Sequence, residues 1–279
     1  MGLWRTEWMG AGTPPPSEEE LTVAFTAVAR LFGPEAVTVR LPDPGGGEAV
    51  DGASGSGPNP ALGRRGVRAA LARPESVRPF VRALLRAAAG APNLRLLVPM
   101  VGMAAELRGV RAELAGQAAL LAAQGVAVRP PVLGAMLEVP AAVLSVARLA
   151  AAADFFSLGT NDLGQYTLAA DRGAAATAYL LDGMHPAVLR LVATAVAAAG
   201  RARREIGVCG EAAGEPWAIP LLIGVGVRSL SVAPPRVASV RALLARIDPK
   251  AAQALARAAL RLEDGGAVRR RAEAFLARL

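Results

Sequence analysis

Residues 154–173 read D-F-F-S-L-G-T-N-D-L-G-Q-Y-T-L-A-A-D-R-G. Phe155-Phe156-Ser157-Leu158 is a short apolar run with the length and bulk of a buried strand. The chain then breaks at Gly159 into Thr160-Asn161-Asp162, three small polar residues expected on the loop leaving that strand. A helical segment is expected from Leu163, ending near Asp171-Arg172-Gly173. Backbone amides, an amide side chain, a carboxylate and an arginine thus gather at the C-terminal end of one strand. Such a group suits a phosphorylated ligand held with a divalent cation. The same residues also suit an ordinary strand-to-helix turn capped by Asn161 and Asp162. Both readings stand on this stretch alone.

Working outward, the chain alternates strands and helices. Gly2 to Trp8 reads as a strand carrying Arg5 and Glu7 at its end. Ser17 and Glu20 form a capping box for a helix to about Phe32. Ala36–Leu41 is β-branched and apolar, a strand ending near Arg40 and Asp43. The Gly-rich stretch at about 44–58, with interspersed Ser, reads as a flexible loop inside one domain of residues 1–279, because the alternation resumes beyond it. Helical pattern covers Arg64 to Ala89, with a second piece starting at Pro74. Strands are expected at Leu94–Met100, Leu133–Val139, Phe155–Leu158, Ile206–Val208 and Ser229–Val232. Between them lie helices at Ala104–Gln124, from Pro140 to about Ala152, from Leu163 and at Pro186–Arg203, and terminal helices cover Arg236–Leu279. Short, near-continuously apolar strands alternating with helices imply a parallel sheet covered by helices. No glycine-rich dinucleotide fingerprint follows the first strand, and successive strand ends all carry polar residues, which favours a TIM barrel over a doubly wound sheet. Seven strands are expected.

Composition narrows the function classes. Of 279 residues, 53% are hydrophobic and 19% charged, enough apolar content for a substantial core. The net charge of +8 is almost all arginine, with Lys250 the only lysine. These arginines lie on alanine-rich helical faces without interleaved aromatics, so no nucleic-acid partner is expected. Cys209 stands alone, which excludes a disulfide framework and a cysteine-built zinc site and fits a reducing, cytoplasmic location. No uncharged apolar run reaches the roughly 18 residues of a membrane span, and Glu7 falls where a signal peptide keeps its apolar region. Neither membrane insertion nor secretion is expected.

Placed on a common rim, the strand-end residues make one chemistry. Glu138 and Asp162 are hard oxygen ligands suited, with substrate oxygens, to Mg²⁺. Arg5, Arg40 and Arg172 can grip phosphate or carboxylate oxygens bidentately. Cys209 at a strand end can serve as an acid, or be a small buried hydrophobe. Glu138 can equally be a helix-start carboxylate ahead of Pro140. His185, the only histidine, precedes a proline in a loop and reads as structural.

The 154–173 stretch resembles the signature of enzyme I of the bacterial sugar phosphotransferase system, the phosphoenolpyruvate–protein phosphotransferases. The likeness extends over most of the chain: G-L-W-R-T-E-W at 2–8, V-R-L-P-D-P-G-G at 39–46, N-P-A-L-G-R-R at 59–65, L-V-P-M at 97–100, L-E-V-P at 137–140, H-P-A-V-L-R-L at 185–191 and V-C-G-E-A-A-G at 208–214. Pyruvate phosphate dikinase and phosphoenolpyruvate synthase share the G-T-N-D-L core, but the Q-Y-T-L-A-x-D-R-G continuation resembles enzyme I. The resemblance implies a phosphoenolpyruvate-binding (β/α)8 TIM barrel that forms a homodimer. It implies that Arg5 and Arg40, with Arg65 a further candidate, bind the phosphate, that Asn161 and Arg172 complete the phosphate cradle, and that Glu138 and Asp162 ligate Mg²⁺. Cys209 is implied to protonate the enolate as pyruvate forms.

Departures from the family pattern are also visible. The family's acceptor histidine region has no counterpart in the sequence, so a phosphohistidine domain or phosphocarrier protein outside it is the expected partner. The strand and helix that precede G-L-W-R-T-E in the family are likewise absent, which accounts for seven strands rather than eight. The family's G-G-D-K reads Gly45-Gly46-Gly47-Glu48, Arg64 replaces an aromatic residue, and Gly164 stands where a larger residue is usual. The alternatives are therefore a catalytically idle phosphoenolpyruvate-binding or dimerisation module, or a relative of pyruvate phosphate dikinase or phosphoenolpyruvate synthase.

Overall fold

The computed structural model describes residues 1–9, 15–43 and 59–279. The Gly/Ser-rich stretch 44–58, read above as a flexible loop, lies outside the described residues. The chain divides into two compact units, Met1–Met136 with Ala151–Asp154, and Leu137–Ala150 with Phe155–Leu279.

In the first unit, α1 (Glu18–Leu31) starts at the predicted capping box: Ser17 N donates to Glu20 Oε2 at 2.8 Å, and Glu20 N donates to Ser17 Oγ at 3.3 Å. Its Leu21, Phe25 and Ala29, spaced by four, form the buried face. Phe25 anchors that face edge-on against Trp4 and Phe80, each ring 5.5 Å away. Strand β1 (Val37–Arg40) pairs in parallel with β2 (Leu94–Val98), and β2 with β3 (Val132–Leu137), so strand order follows chain order. Helices α2 (Val67–Ala72) and α3 (Pro74–Gly90) divide at Pro74 as predicted, and α4 (Ala104–Ala123) fills the crossover between β2 and β3. The first predicted strand is shorter than expected. Trp4 makes a single parallel bridge to Val39, flanked by Trp4 N to Thr38 O at 2.8 Å and Arg40 N to Trp4 O at 3.0 Å. The chain then turns into one 3-10 turn at Thr6–Met9, so Glu7 lies on a turn rather than a strand and Arg5 sits just before it.

In the second unit, Pro140 opens a helix as predicted, but it divides at Ser145 into α5 (Pro140–Leu144) and α6 (Val146–Leu149). Ser145 N bonds Ala142 O, a tighter i to i−3 link that interrupts the α-helical ladder. Strand β4 (Phe155–Leu158) pairs in parallel with β5 (Glu205–Val208), and Gly159 N reaches Leu137 O at 3.2 Å. Helix α7 (Thr160–Leu168) begins three residues earlier than predicted, so Thr160, Asn161 and Asp162 form its first turn and are not a loop. Gly159 ends the strand and supplies the first acceptor, to Leu163 N at 3.0 Å. Beyond it come α8 (Ala175–Ala178), α9 (Pro186–Arg201), α10 (Ile219–Gly224), α11 (Val237–Leu244), α12 (Pro249–Ala259) and α13 (Gly265–Leu276). The predicted last strand at Ser229–Val232 contracts to one parallel bridge, Leu230 to Val208. Leu230 and Val232 instead pack on a core of Ile219, Val240, Ile247 and Ala252.

Seven strand segments were expected, and five regular parallel strands are present among the described residues, with the other two reduced to bridges. A doubly wound sheet reverses its strand order at a switch point. Here order follows sequence on both sides of β3, with helices in the crossovers, which is the α/β arrangement of the TIM-barrel type.

Candidate functional site

The first unit places a charged network where β1 ends. The Glu7 carboxylate lies beside Arg40, with Oε1 accepting from Arg40 Nη2 at 2.9 Å and from the Asp43 backbone N at 2.7 Å. The Asp43 carboxylate in turn accepts Arg65 Nε at 3.1 Å and Nη2 at 2.7 Å, a bidentate pair whose side chains are 0% and 5% exposed. Arg65 is aimed there by Gly66, which has φ 51°, and a Cβ on Gly66 would come within 2.9 Å of the Met100 side chain. Arg5 is exposed at the end of the bridged segment. Among the sequence-predicted phosphate ligands of this unit, Arg40 and Arg65 are therefore tied into one network through Glu7 and Asp43.

The second unit groups the remaining candidates around the start of α7. Glu138 follows the last residue of β3 and is 1% exposed. Asp162, 6% exposed, lies in the first turn of α7, where the helix dipole favours a carboxylate. Arg172 returns to it, its Nη2 lying 3.2 and 3.4 Å from the two Asp162 oxygens. That return depends on Ala169, left-handed at φ 51°, which ends α7 and reverses the chain. Gln165 holds the reversal through Arg172 N to its Oε1, at 3.1 Å.

Asn161 Oδ1 accepts from Glu211 N at 2.9 Å, tying α7 to the turn after β5. Cys209 is buried at that exit, with its backbone N 3.0 Å and its Sγ 3.5 Å from Leu158 O. A carbonyl only accepts, so the thiol is the donor in this contact. Gly210 allows this closeness. A Cβ there would overlap Thr160 Oγ1 and lie 2.7 Å from Thr160 N. His185 caps α9, its Nδ1 accepting from Ala187 N at 3.2 Å.

Glu138 and Asp162 are the buried carboxylates of this unit, hard oxygen donors of the kind a divalent cation takes. Two buried carboxylates, Glu138 and Asp162, are too few for an all-protein cage, and no cluster of three potential ligands occurs among the described residues. Mg²⁺ typically takes one or two carboxylates and completes its shell with water and substrate oxygens. Sequence reading missed Glu7 and Asp43 as organisers. The available signal was that each lies two or three residues from a predicted anion-binding arginine.

Each unit thus has parallel α/β structure in which guanidinium groups meet buried carboxylates, Arg65 with Asp43 in the first and Arg172 with Asp162 in the second. A family profile described as "PEP-utilising enzyme, PEP-binding domain" matches residues 1–249, and the chain belongs to that family. A Salmonella typhimurium protein named "Phosphoenolpyruvate-dependent phosphotransferase system" is 39% identical over 282 residues, covering 100% of this chain and 37% of that protein. A Cupriavidus necator "Phosphoenolpyruvate-protein phosphotransferase" is 40% identical over 247 residues, covering 86% of this chain and 42% of that protein. A Rhodobacter capsulatus "Multiphosphoryl transfer protein" is 38% identical over 271 residues, covering 96% and 32%. The chain therefore spans about two fifths or less of these relatives. No helix among the described residues is long and apolar enough to cross a membrane.

Proposed function

We propose that the chain binds phosphoenolpyruvate with Mg²⁺ and passes its phosphoryl group to a histidine on a phosphohistidine domain or phosphocarrier protein, releasing pyruvate. The supporting observation is the α7 corner, where Arg172 meets Asp162 and Asn161 is tied to the turn after β5 that carries Cys209. In this reading Arg5, Arg40, Arg65 and Arg172 bind phosphate and carboxylate oxygens and spread the charge that develops on the transferring group. Glu138 and Asp162 would hold Mg²⁺, which neutralises negative charge on the substrate oxygens when bound.

The phosphorus–oxygen bond breaks toward the enolate oxygen as the histidine nitrogen takes the phosphoryl group. Cys209 then gives its proton to the methylene carbon, and the enolate collapses to pyruvate. Burial of the thiol keeps water from competing as the proton donor. His185 does not serve as acceptor here, since its Nδ1 is occupied by a helix cap. Homodimeric assembly and a cytoplasmic location belong to the same proposal.

The test is pyruvate release from phosphoenolpyruvate and Mg²⁺ with a separately supplied phosphohistidine domain. Release is expected only with that domain present, and Cys209→Ala should suppress it. Release that survives Cys209→Ala at the full rate would remove the thiol from the mechanism. Release without any added histidine domain would overturn the phosphotransfer reading.

A further inference from the structure

We infer that Glu7 is a positioning residue for the anion-binding arginines, fixing Arg40 directly and Arg65 through Asp43; the identity of the ligand rests on the phosphoenolpyruvate reading above. Glu7 Oε1 receives both Arg40 Nη2, at 2.9 Å, and the backbone N of Asp43, at 2.7 Å. The second bond sets the chain direction just after β1, so the Asp43 carboxylate faces Arg65 and takes its Nε and Nη2. One carboxylate on a 3-10 turn therefore orients two arginines more than 30 residues away, as the sequence separation of 33 to Arg40 shows.

Stability alone does not explain this carboxylate. Glu7 Oε2 is buried without a hydrogen-bond partner, an arrangement that costs folding free energy. What the carboxylate supplies is order. Each guanidinium has its own counter-charge, Glu7 for Arg40 and Asp43 for Arg65, so neither must be fixed by the ligand on arrival.

The test uses the full chain with Glu7→Gln, which keeps an acceptor and loses the charge, and Glu7→Ala, which loses both. Calorimetric titration with phosphoenolpyruvate and Mg²⁺, well below the unfolding midpoint, should show binding about tenfold weaker in each, the weight of one charge-assisted hydrogen bond. In ligand-free protein, the NMR signal of the Arg40 side-chain Nε–H should broaden in Glu7→Ala. A merely structural tether would lower the melting temperature and leave affinity unchanged in the folded protein. Wild-type affinity in either folded variant overturns the proposal, and if Glu7→Ala fails to fold, Glu7→Gln decides. Should the unaltered chain not bind phosphoenolpyruvate, the ligand reading has failed on its own. The Arg40 signal then judges the positioning role, broadening sustaining it and an unchanged signal ending it.

Discussion

Asp43 grips Arg65 along one edge of its guanidinium, and both side chains are almost wholly shut away from water, at 0% and 5% exposure. Truncating one partner of such a pair strands a buried charge. Asp43→Ala should therefore destabilise the protein by about 3–5 kcal/mol in urea denaturation at neutral pH. The double variant Asp43→Ala/Arg65→Ala should cost less than the two single changes added, because no uncompensated charge remains. A single-variant cost under about 1 kcal/mol, typical of solvated pairs, would show that water reaches this arginine.

Gly210 is the point where the Cys209 turn meets the first residue of α7. A methyl group there would overlap Thr160 Oγ1 and press on Thr160 N at 2.7 Å, and backbone does not give way cheaply. Gly210→Ala should displace the first turn of α7, which carries Asn161 and Asp162. The expected outcome is a loss of about 1–3 kcal/mol in stability, with Mg²⁺-dependent phosphoenolpyruvate binding abolished. A folded Gly210→Ala protein that binds with wild-type affinity would separate the turn from the site.

What could be read from the sequence was what local chemistry determines. Ser17 with Glu20, Pro74 and Pro140 announced helix starts, since capping and proline geometry act within a few residues. The apolar runs at Val37 and Phe155 announced strands. The polar trio after Gly159 was harder, because Thr, Asn and Asp favour turns, yet in the fold they are the first turn of α7. Ser229–Val232 has strand chemistry, but Leu230 and Val232 are recruited to a core among the terminal helices, leaving one bridge. Glu7 and Asp43 were visible as charges near strand ends. Their joint role was not, because it depends on a hydrogen bond between residues 36 apart, and sequence gives charge without direction.

Ala169 ends α7 in the left-handed region at φ 51°, where its Cβ crowds the following carbonyl. That conformation returns Arg172 to Asp162. Ala169→Gly should relieve the strain and stabilise the protein by about 0.5–1 kcal/mol, keeping the Arg172–Asp162 pair. Chemical denaturation measures the gain. A destabilised glycine variant would mean that the methyl group's packing outweighs its backbone cost.

Glu18 links α1 to α3 through Arg82 Nε at 2.6 Å and Arg86 Nη1 at 2.9 Å. Partial burial pushes its carboxyl upward, but the hydrogen bonds and charges of Arg82 and Arg86 prevail, so its pKa lies below the ordinary 4.5. A carboxylate with a depressed folded pKa stabilises fully above the unfolded value and loses that contribution as pH falls through the folded one. The link should thus be intact above pH 4.5 and weaken progressively below it. Glu18→Gln should be less stable than the unaltered chain at pH 7, by roughly 0.2–1 kcal/mol per partly exposed pair. The difference should shrink as the solution is acidified past pH 4.5. Glu20, also depressed by its Ser17 hydrogen bonds, titrates in both proteins and cancels in the comparison. Thermal unfolding midpoints of the two chains followed from pH 7 to pH 3 decide the matter, and a gap that stays constant over that range would mean Glu18 contributes by packing rather than by charge.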